Sequence, residues 1–309
     1  MRRTALDMVY ELAKRDPRVV FIGSDLGAGA LDQMKAEMPE RFFMEGVSEA
    51  NVIGMAAGLA MDGFVPYVNT IATFLTRRCY EQVAVDLCLH ELPVRLIANG
   101  GGVVYAPLGP THIAIEDLAI MRALPGMTVV APTDADEMRR LIPATLEQPG
   151  PVYIRVAKGG DPIVSRDADG FEIGKPILLR EPGQVLLLAT GVMVNRALAA
   201  AEELAPGLEC GVLNVHTLKP LDAERIVTLC RGVEFVVTIE EHTRIGGLGS
   251  AVAEVLVELG PAMPGFLSLG IPDVFTEKYG SQDEVLEFYG LQPGQIAAAV
   301  RRALGRDAA

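Results

Sequence analysis

Tryptophan is absent from this chain, and aromatic residues and cysteines are scarce. The 309 residues include no Trp, 6% aromatic residues and 4 Cys. None of the cysteines forms a Cys-x-x-Cys pair, and most of them lie in apolar runs typical of helices or strands. This pattern argues against a scaffold held by disulfides, and it predicts reduced, mostly buried thiols in a cytoplasmic protein. The cysteines are Cys79, Cys88, Cys210 and Cys230.

Basic residues are in the minority, and long hydrophobic runs are missing. The chain has 27 Lys and Arg against 40 Asp and Glu, for a formal net charge of -13. An acidic surface repels nucleic acids and anionic membranes, so neither is expected as a partner. No apolar run approaches the ~20 residues of a membrane span, and we expect no signal peptide at the N-terminus. A small phosphorylated ligand is compatible with this charge, because a local Arg can hold it.

Several catalytic signatures are also missing. No Gly-x-Ser-x-Gly segment occurs, so a hydrolase triad is not supported. The glycines at 23–29 do not match the dinucleotide fingerprint. The histidines show no zinc-binding spacing, and we predict no metal site formed by this chain alone. The glycine-rich segment 246–250 is compatible with an anion at a helix N-terminus or with a tight turn into close helix packing. The histidines are His90, His112, His216 and His242.

What the chain does contain is a regular alternation of strand-like and helix-like segments. Such alternation is typical of parallel α/β architecture, and the length suffices for two domains. A stretch rich in Gly, Pro and charge at 161–183 predicts a linker between a first domain at 1–160 and a smaller α/β domain at 184–309. Predicted strands are 19–22, 65–68, 94–98, 128–131 and 152–156, then 184–190, 209–214, 234–239 and 266–269. Predicted helices are 49–61, 73–90, 115–122 and 134–147, then 194–204, 223–229, 248–259, 282–288 and 293–304.

Glu49 is the one carboxylate in a segment that is otherwise small and apolar. It opens the predicted helix 49–61, and we expect its side chain to be buried. Burial of a charge without a partner is costly, so a cation or a shared proton is expected beside it. An acid favoured by the dipole at a helix N-terminus is the plainer interpretation of the local sequence. The small residues Gly54, Ala57 and Gly58 would permit close approach of a second helix.

Polar residues follow several of the predicted strands. Open parallel sheets bind ligands beyond the carboxyl ends of their strands. The segments at that edge begin with Asp25 and continue with 70–78, 100–102 and 109–112. If the strands are parallel, these segments converge in space.

Three segments of the first domain together resemble a known family. They are Glu-Gly-Val-Ser-Glu-Ala-Asn at 45–51, Thr-Phe-Leu-Thr-Arg-Arg-Cys-Tyr-Glu-Gln-Val at 73–83 and Gly-Pro-Thr-His at 109–112. They resemble the pyrimidine-binding domain of transketolase and of the related 1-deoxyxylulose-5-phosphate synthase. The second domain resembles the C-terminal domain of the same family at 218–222, 240–243 and 246–250. The resemblance covers nearly the whole chain.

The resemblance implies that this chain is one half of a larger enzyme. Full-length members begin with a diphosphate-binding domain that carries Gly-Asp-Gly, which does not occur here. The chain is therefore similar to the second subunit of a split transketolase, with an expected α2β2 assembly. The partner, an N-terminal-half subunit, would hold Mg2+ and the diphosphate of thiamine diphosphate. The β subunit of 2-oxo acid dehydrogenases has a similar arrangement and is the nearest competitor.

The resemblance also assigns cofactor-binding residues. Glu49 matches the family glutamate that contacts N1′ of the aminopyrimidine and shares a proton with it, which makes it catalytic. Phe74 matches the aromatic residue that stacks on the pyrimidine ring. Ile71 stands where the family often has another aromatic residue, so it offers apolar contact without stacking. Asp25 matches an aspartate near the thiazolium side, although a turn cap at the end of a strand is its alternative role.

Substrate-binding residues follow in the same way. His112 matches the catalytic histidine that faces the substrate near C2 of thiamine, where it would bond a hydroxyl or move a proton. Arg155 matches the arginine that holds the phosphate of sugar-phosphate substrates. Arg77 stands where the deoxyxylulose phosphate synthases have Arg, and it is a second candidate ligand of the substrate phosphate.

Two departures from the family pattern concern the sugar. Leu108 stands where members commonly have Asp, and Gly29 stands where transketolases have a phosphate-contacting Ser. The predicted reaction is transfer of a two-carbon ketol unit from a ketose phosphate to an aldose phosphate. The departures favour a branched, deoxy or sulfonated ketose. Alternatives are a deoxyxylulose phosphate synthase-like activity, a 2-oxo acid dehydrogenase β subunit, and a non-enzymatic regulatory or scaffolding subunit.

Overall fold

Two mostly parallel sheets organise the chain in the computed structural model, which describes residues 1–24, 29 and 31–306. Strands β1 to β6 form the first sheet together with β10, and the other later strands form the second sheet. The strands are β1 (Val19–Gly23), β2 (Phe42–Met44), β3 (Val65–Ile71), β4 (Arg95–Asn99), β5 (Thr128–Val130), β6 (Val152–Val156), β7 (Ile177–Arg180), β8 (Val185–Ala189), β9 (Cys210–Asn214), β10 (Thr217–Lys219), β11 (Phe235–Thr243) and β12 (Gly265–Ile271).

Helices connect these strands and cover the sheets. They are α1 (Arg2–Arg15), α2 (Asp32–Glu37), α3 (Glu49–Met61), α4 (Ala72–Leu75), α5 (Tyr80–Gln82), α6 (Asp117–Ala123), α7 (Ala135–Thr145), α8 (Met193–Leu204), α9 (Ala223–Cys230), α10 (Leu248–Leu256), α11 (Gln282–Phe288) and α12 (Pro293–Ala303). A π-helical segment, Val83–Cys88, continues α5. None of the helices in the described ranges is long and apolar enough to cross a membrane.

The first sheet has the strand order β10-β5-β6-β4-β3-β1-β2, and the second has the order β12-β11-β8-β9-β7. Only β10 and β7 run antiparallel to their neighbours. Strands β1, β3, β4 and β6 are buried at every position, because helices cover both faces of the sheet. The predicted α/β class is thus confirmed. The thiols were predicted to be mostly buried, and the structure buries all four.

Three short strands fall outside the predicted set. Strand β2 is apolar and partly exposed, but at three residues it is too short to be recognised from its sequence. Strand β7 forms within the predicted linker, and β10 leaves the second domain to pair with β5 of the first sheet. Such pairings depend on distant parts of the chain, which local pattern does not report. The two halves are therefore interlocked rather than simply joined by a linker.

The predicted helix 73–90 is wrong, because the chain turns in its middle. Helix α4 ends at Leu75, where the Thr76 hydroxyl donates to the Ala72 carbonyl oxygen at 2.8 Å. A hydroxyl bonded to the preceding turn competes with regular helix continuation. The helix resumes only at Tyr80. This turn sets the positions of two adjacent arginines, Arg77 and Arg78.

Two further helices, α7 and α3, begin close to where the sequence predicts them. Asp134 caps α7, since its carboxylate accepts from the amides of Asp136 and Glu137 at 2.9 Å each. Helix α3 spans the predicted range, and Gly54 and Gly58 lie exposed with open space beside them. Ala57 differs, because it is buried against the core and so does not share the exposed face of those glycines.

A buried carboxyl group joins the two halves. Glu137 accepts from the Thr133 amide at 2.6 Å and from the Asn214 side-chain amide at 2.7 Å, so it links α7 to β9. Burial raises the pKa of Glu137 from 4.5 to about 7. Because the folded protein holds this proton more tightly than the unfolded chain, the contribution of Glu137 favours folding most at low pH. It declines as the pH rises through the interval between these two pKa values.

We therefore expect Glu137→Gln to remove one component of the pH dependence of stability. Between about pH 5 and pH 8, the free energy of unfolding of the wild type should fall relative to the variant by about 1–3 kcal/mol. Urea unfolding at several pH values measures this difference. The exposed Glu258→Gln is the control and should follow the wild type. Parallel pH profiles for Glu137→Gln and wild type would contradict the assignment.

Candidate active site

Glu49 begins α3 as a buried carboxylate with a cationic partner. Its side chain is 3% exposed, which confirms the predicted burial. The Arg78 guanidinium donates from Nη1 to Oε2 of Glu49 at 2.7 Å. Arg78 is 47% exposed, so the pair lies at the boundary between the interior and the solvent. The structure thus meets the requirement that a buried charge has a partner.

Phe74 and His112 lie beside this ion pair. The central carbon of the Arg78 guanidinium is 4.1 Å from the centroid of the Phe74 ring, a cation–π contact. The His112 ring approaches Phe74 edge-on, with 5.3 Å between centroids. Three of the predicted site residues, Glu49, Phe74 and His112, therefore converge around Arg78. Arg78 was not among them, because the break after Leu75 that places it there is not visible in the local sequence pattern.

The loop that carries His112 is held on several sides. The Gly102 amide and the Ala114 carbonyl oxygen bond at 2.8 Å, and Gly102 has a positive φ of 68° that suits glycine. The ring of Tyr279, from the second domain, packs so closely on Gly109 that a Cβ there would come within 3.1 Å of it. The Thr111 hydroxyl lies 2.9 Å from Nδ1 of His112. These contacts hold the imidazole in its edge-on position beside Phe74.

Arg77 braces the same loop. It donates to the Glu116 carboxylate, to the Pro110 carbonyl oxygen at 3.0 Å and to the Ile113 carbonyl oxygen. These contacts span both sides of His112 in sequence. The predicted phosphate-binding role of Arg77 stays a prediction, since its guanidinium is engaged by protein oxygens in this structure.

Arg155 lies in the seam between the two sheets. Its side chain is 7% exposed, and Nε lies 3.1 Å from Oδ2 of the buried Asp117. Nη2 donates to the carbonyl oxygens of Ala114 at 3.0 Å and Glu241 at 2.8 Å. Any side chain at Gly101 would overlap Arg155. Its guanidinium is therefore occupied by the seam, and its predicted contact with a substrate phosphate stays a prediction.

Asp117 anchors this seam. Besides the contact with Arg155, it accepts from the Tyr153 hydroxyl at 2.7 Å. Burial raises the pKa of Asp117, and the neighbouring Arg155 opposes that rise. His242 is buried beside it, and burial lowers the pKa of His242 to about 3. The histidine is therefore neutral at physiological pH, and its role in this buried position is structural.

Of the remaining predicted residues, Ile71 lies at the carboxyl edge of the first sheet. Ile71 ends β3 in register with Asn99 of β4, and it is 8% exposed. Asp25 lies outside the described residues. Gly29 is described, with a positive φ of 83°. Within the described ranges, no group of three or more His, Cys, Asp or Glu side chains is placed to hold a metal ion.

The glycine-rich segment 246–250 already has an anion at its helix. Glu240 accepts from the amides of Leu248 at 2.7 Å and Gly249 at 2.8 Å, at the N-terminus of α10. Burial raises the pKa of Glu240 to about 7. A side chain at Gly247 would overlap the Glu240 carboxylate. Of the two alternatives for this segment, the structure shows close packing with an internal carboxylate.

A cleft of mixed charge lies beside Gly29. Its volume is about 550 Å³, and its lining includes the cations Arg2, Arg3 and Lys158 together with the carboxylates Asp7 and Asp32. Lys158 follows β6, so it lies at the carboxyl edge of the first sheet. Sequence reasoning did not single out this group, because the contribution of α1 depends on tertiary packing.

Two family models match the chain. "Transketolase, pyrimidine binding domain" matches residues 1–160, and "Transketolase, C-terminal domain" matches residues 174–296. A 6-deoxy-6-sulfo-D-fructose transketolase subunit SqwH from Clostridium sp. (strain MSTE9) is 40% identical over 99% of this chain and 95% of its own length. A 1-deoxy-D-xylulose-5-phosphate synthase from Synechococcus sp. (strain JA-2-3B'a(2-13)) is 39% identical over 94% of this chain, which spans 45% of the synthase.

A solved structure agrees with these matches. A split-gene transketolase, described as an inactive β4 tetramer, superposes with a TM-score of 0.90 at 39% identity and covers 99% of both chains. The chain belongs to the transketolase family and contains its pyrimidine-binding and C-terminal domains. A pyrimidine-binding domain of this family implies thiamine diphosphate as the cofactor.

The geometry of the seam predicts a large cost for breaking the Arg155–Asp117 pair. Asp117→Asn leaves a buried guanidinium without its counter-ion, so the free energy of unfolding should fall by about 3 kcal/mol or more. Replacement of both partners, Asp117→Leu with Arg155→Met, should recover part of that loss. The control is Asp136→Asn, which breaks a surface pair with Arg139 and should cost less than about 1 kcal/mol. Equal, small losses in urea unfolding for both single variants would contradict the role of the seam.

Proposed function

We propose that the chain is the catalytic subunit, carrying the pyrimidine half of the cofactor site, of a split transketolase that transfers two-carbon ketol units. The observation that carries this proposal is the convergence of a buried carboxylate, an accessible aromatic ring and an imidazole at Glu49, Phe74 and His112. Their order along the chain matches the family pattern, and both family domains are present.

The residues present fit thiamine diphosphate. The Arg78 guanidinium, a flat cation on the Phe74 face and on the Glu49 carboxylate, marks where an aminopyrimidine ring would stack and bond. Thiamine diphosphate, when bound, supplies the carbanion chemistry that breaks and forms the carbon–carbon bond. Glu49 would share a proton with the ring nitrogen N1′, in an environment kept dry by α3. Phe74 would hold the ring plane.

His112 would act on the substrate side of the same site. Its imidazole is fixed beside Phe74 by the loop contacts of Arg77 and Tyr279. From there it can donate a hydrogen bond to the donor hydroxyl or move a proton to or from it. We also propose that Asp25 acts near the thiazolium side and that Ile71 makes an apolar contact with the cofactor.

A second subunit would complete the site. We place Mg2+ and the diphosphate on an N-terminal-half partner, in an α2β2 assembly. Support comes from the relative whose β4 tetramer is described as inactive. Further support comes from α3, where Gly54 and Gly58 are exposed and Met61 is 59% exposed. An exposed face of small and apolar residues suits contact with another helix.

The donor sugar is proposed from the loop before His112. Leu108 is 55% exposed and cannot hydrogen-bond the substrate hydroxyl that the usual Asp would contact. A relative is named for 6-deoxy-6-sulfo-D-fructose. We therefore propose a ketose with an anionic end, phosphate or sulfonate. Arg2, Arg3 and Lys158 offer positive charge for that end in a cleft that Asp7 and Asp32 also line. They are candidates in addition to the predicted ligands Arg77 and Arg155.

A synthase-like activity is the second candidate, favoured by the 39% identity to a 1-deoxy-D-xylulose-5-phosphate synthase. It would consume pyruvate and release CO2. The 2-oxo acid dehydrogenase alternative has less support, because both family models that match the chain are those of transketolase. The predicted cytoplasmic location stays a prediction.

The first test concerns Glu49 in the assembled enzyme. With the N-terminal-half partner present, Glu49→Gln should lower kcat by about 10²- to 10⁴-fold, because the side chain loses the proton that it shares with N1′. The exposed Glu45→Gln, four residues earlier, is the matched control and should keep wild-type turnover. Full activity of Glu49→Gln would contradict the catalytic role. Tight, metal-dependent cofactor binding by the isolated chain would contradict the split site.

The second test compares donors with the same complex at saturating cofactor. We expect kcat/KM for 6-deoxy-6-sulfo-D-fructose to exceed that for xylulose 5-phosphate by about tenfold or more, because a 40% identical relative is named for the sulfonated sugar and Leu108 replaces the usual Asp in the substrate loop. Leu108→Asp should shift the ratio toward xylulose 5-phosphate. Comparable turnover of both sugars would remove the basis for an unusual donor. Pyruvate consumption with CO2 release would establish the synthase-like alternative instead.

A further inference from the structure

Arg78 makes two contacts at once, and both involve predicted cofactor-binding groups. Nη1 lies 2.7 Å from the Glu49 carboxylate, and the guanidinium plane covers a face of the Phe74 ring at 4.1 Å. No other cation is bonded to Glu49 within the described part of the chain. Arg78 therefore pairs with the charge of Glu49 and stacks on the ring of Phe74 at the same time.

An aminopyrimidine would use the same two groups. It is a flat ring that stacks on an aromatic face and bonds a carboxylate through a ring nitrogen. A guanidinium is also flat, stacks on aromatic faces and binds carboxylates. One ring face and one carboxylate oxygen cannot serve both at the same time. Arg78 and the cofactor ring are therefore competitors for this position.

The position of Arg78 in the chain allows its side chain to move into solvent. It lies in the turn between α4 and α5, and its side chain is about half exposed. Its neighbour Cys79 is fully buried, so the backbone is anchored while the side chain faces solvent. A rotation of the long side chain would uncover Glu49 and Phe74 without moving the fold.

We propose that Arg78 is a displaceable placeholder for the pyrimidine ring of the cofactor. It compensates the buried Glu49 charge while the subunit is empty, and it leaves when the ring binds. Its occupancy reduces the apparent affinity for the cofactor in proportion to the fraction of closed sites. This inference rests on the proposed function, because it presumes that Glu49 and Phe74 bind the pyrimidine.

The proposal predicts that removal of Arg78 tightens cofactor binding. A half-exposed ion pair and one cation–π contact together correspond to about a three- to thirtyfold change in an equilibrium constant. In the complex with the N-terminal-half subunit, Arg78→Met should lower the Kd for thiamine diphosphate by this factor. Arg78→Lys, which keeps the charge but loses the stack, should lie between the two. Isothermal titration calorimetry with Mg2+ measures each Kd.

A thermal readout separates this role from a general effect on folding. Arg78→Met leaves Glu49 buried without a partner in the empty protein, so its Tm should fall. Because the cofactor replaces the missing partner, the rise in Tm on adding thiamine diphosphate should be larger in Arg78→Met than in wild type. Arg139→Met, which loses an exposed pair with Asp136 outside the site, should match wild type in both measurements.

The outcomes are distinct. Weaker or unchanged binding in Arg78→Met, with wild type binding normally, would overturn the placeholder while leaving the proposed function intact. An equal cofactor-induced rise in Tm for Arg78→Met and wild type would overturn it as well. If the wild-type complex itself binds no thiamine diphosphate, the proposed function fails and the placeholder fails with it.

Discussion

A buried carboxylate that must always have a partner is the constraint on which this site depends. Glu49 is 3% exposed at the start of a helix whose neighbours are small and apolar. Water cannot compensate its charge there, so a protein cation or a ligand has to do so. The helix dipole favours an acid at this position but does not replace a direct partner. In this structure the partner is Arg78.

The fold supplies that partner through a local irregularity. A continuous helix from 73 to 90 would carry Arg78 in helical register with Phe74, whereas the turn after Leu75 sets it between Phe74 and Glu49. The loop of His112 is then closed from outside by Tyr279 of the second domain. The second domain thus helps to position the site without contacting the Glu49 carboxylate. Arg155 links the two sheets, because it pairs with Asp117 and donates to the Glu241 carbonyl oxygen.

The sequence predicted the fold well where the signal is local. Strand β1 is apolar throughout and β4 and β6 are mostly apolar, while Asp134 caps the start of its helix. Strand β10 could not be predicted, because three residues pair with a strand far away in sequence. The site residues Glu49, Phe74 and His112 could be named from motifs. Arg78 could not, since its role follows from the turn after Leu75, which brings it onto Phe74 and Glu49.

The two arginines predicted to bind the substrate phosphate, Arg77 and Arg155, also show what sequence alone does not predict. Residue type and position suggested ligands, but the structure gives Arg77 and Arg155 protein oxygens as partners. Meanwhile Arg2, Arg3 and Lys158 gather at a cleft through the packing of α1, which no local motif encodes. Charge compensation is decided by three-dimensional neighbours, so sequence alone ranks such residues poorly.

The most direct measurement is a crystal structure of the assembled complex with thiamine diphosphate bound. The account predicts a Glu49 carboxylate oxygen within about 2.6–3.2 Å of N1′, the pyrimidine ring on Phe74, and the Arg78 guanidinium withdrawn from both. A pyrimidine bound elsewhere, with Arg78 still on Glu49 and Phe74, would contradict the central claim that this buried carboxylate exists to bind the cofactor.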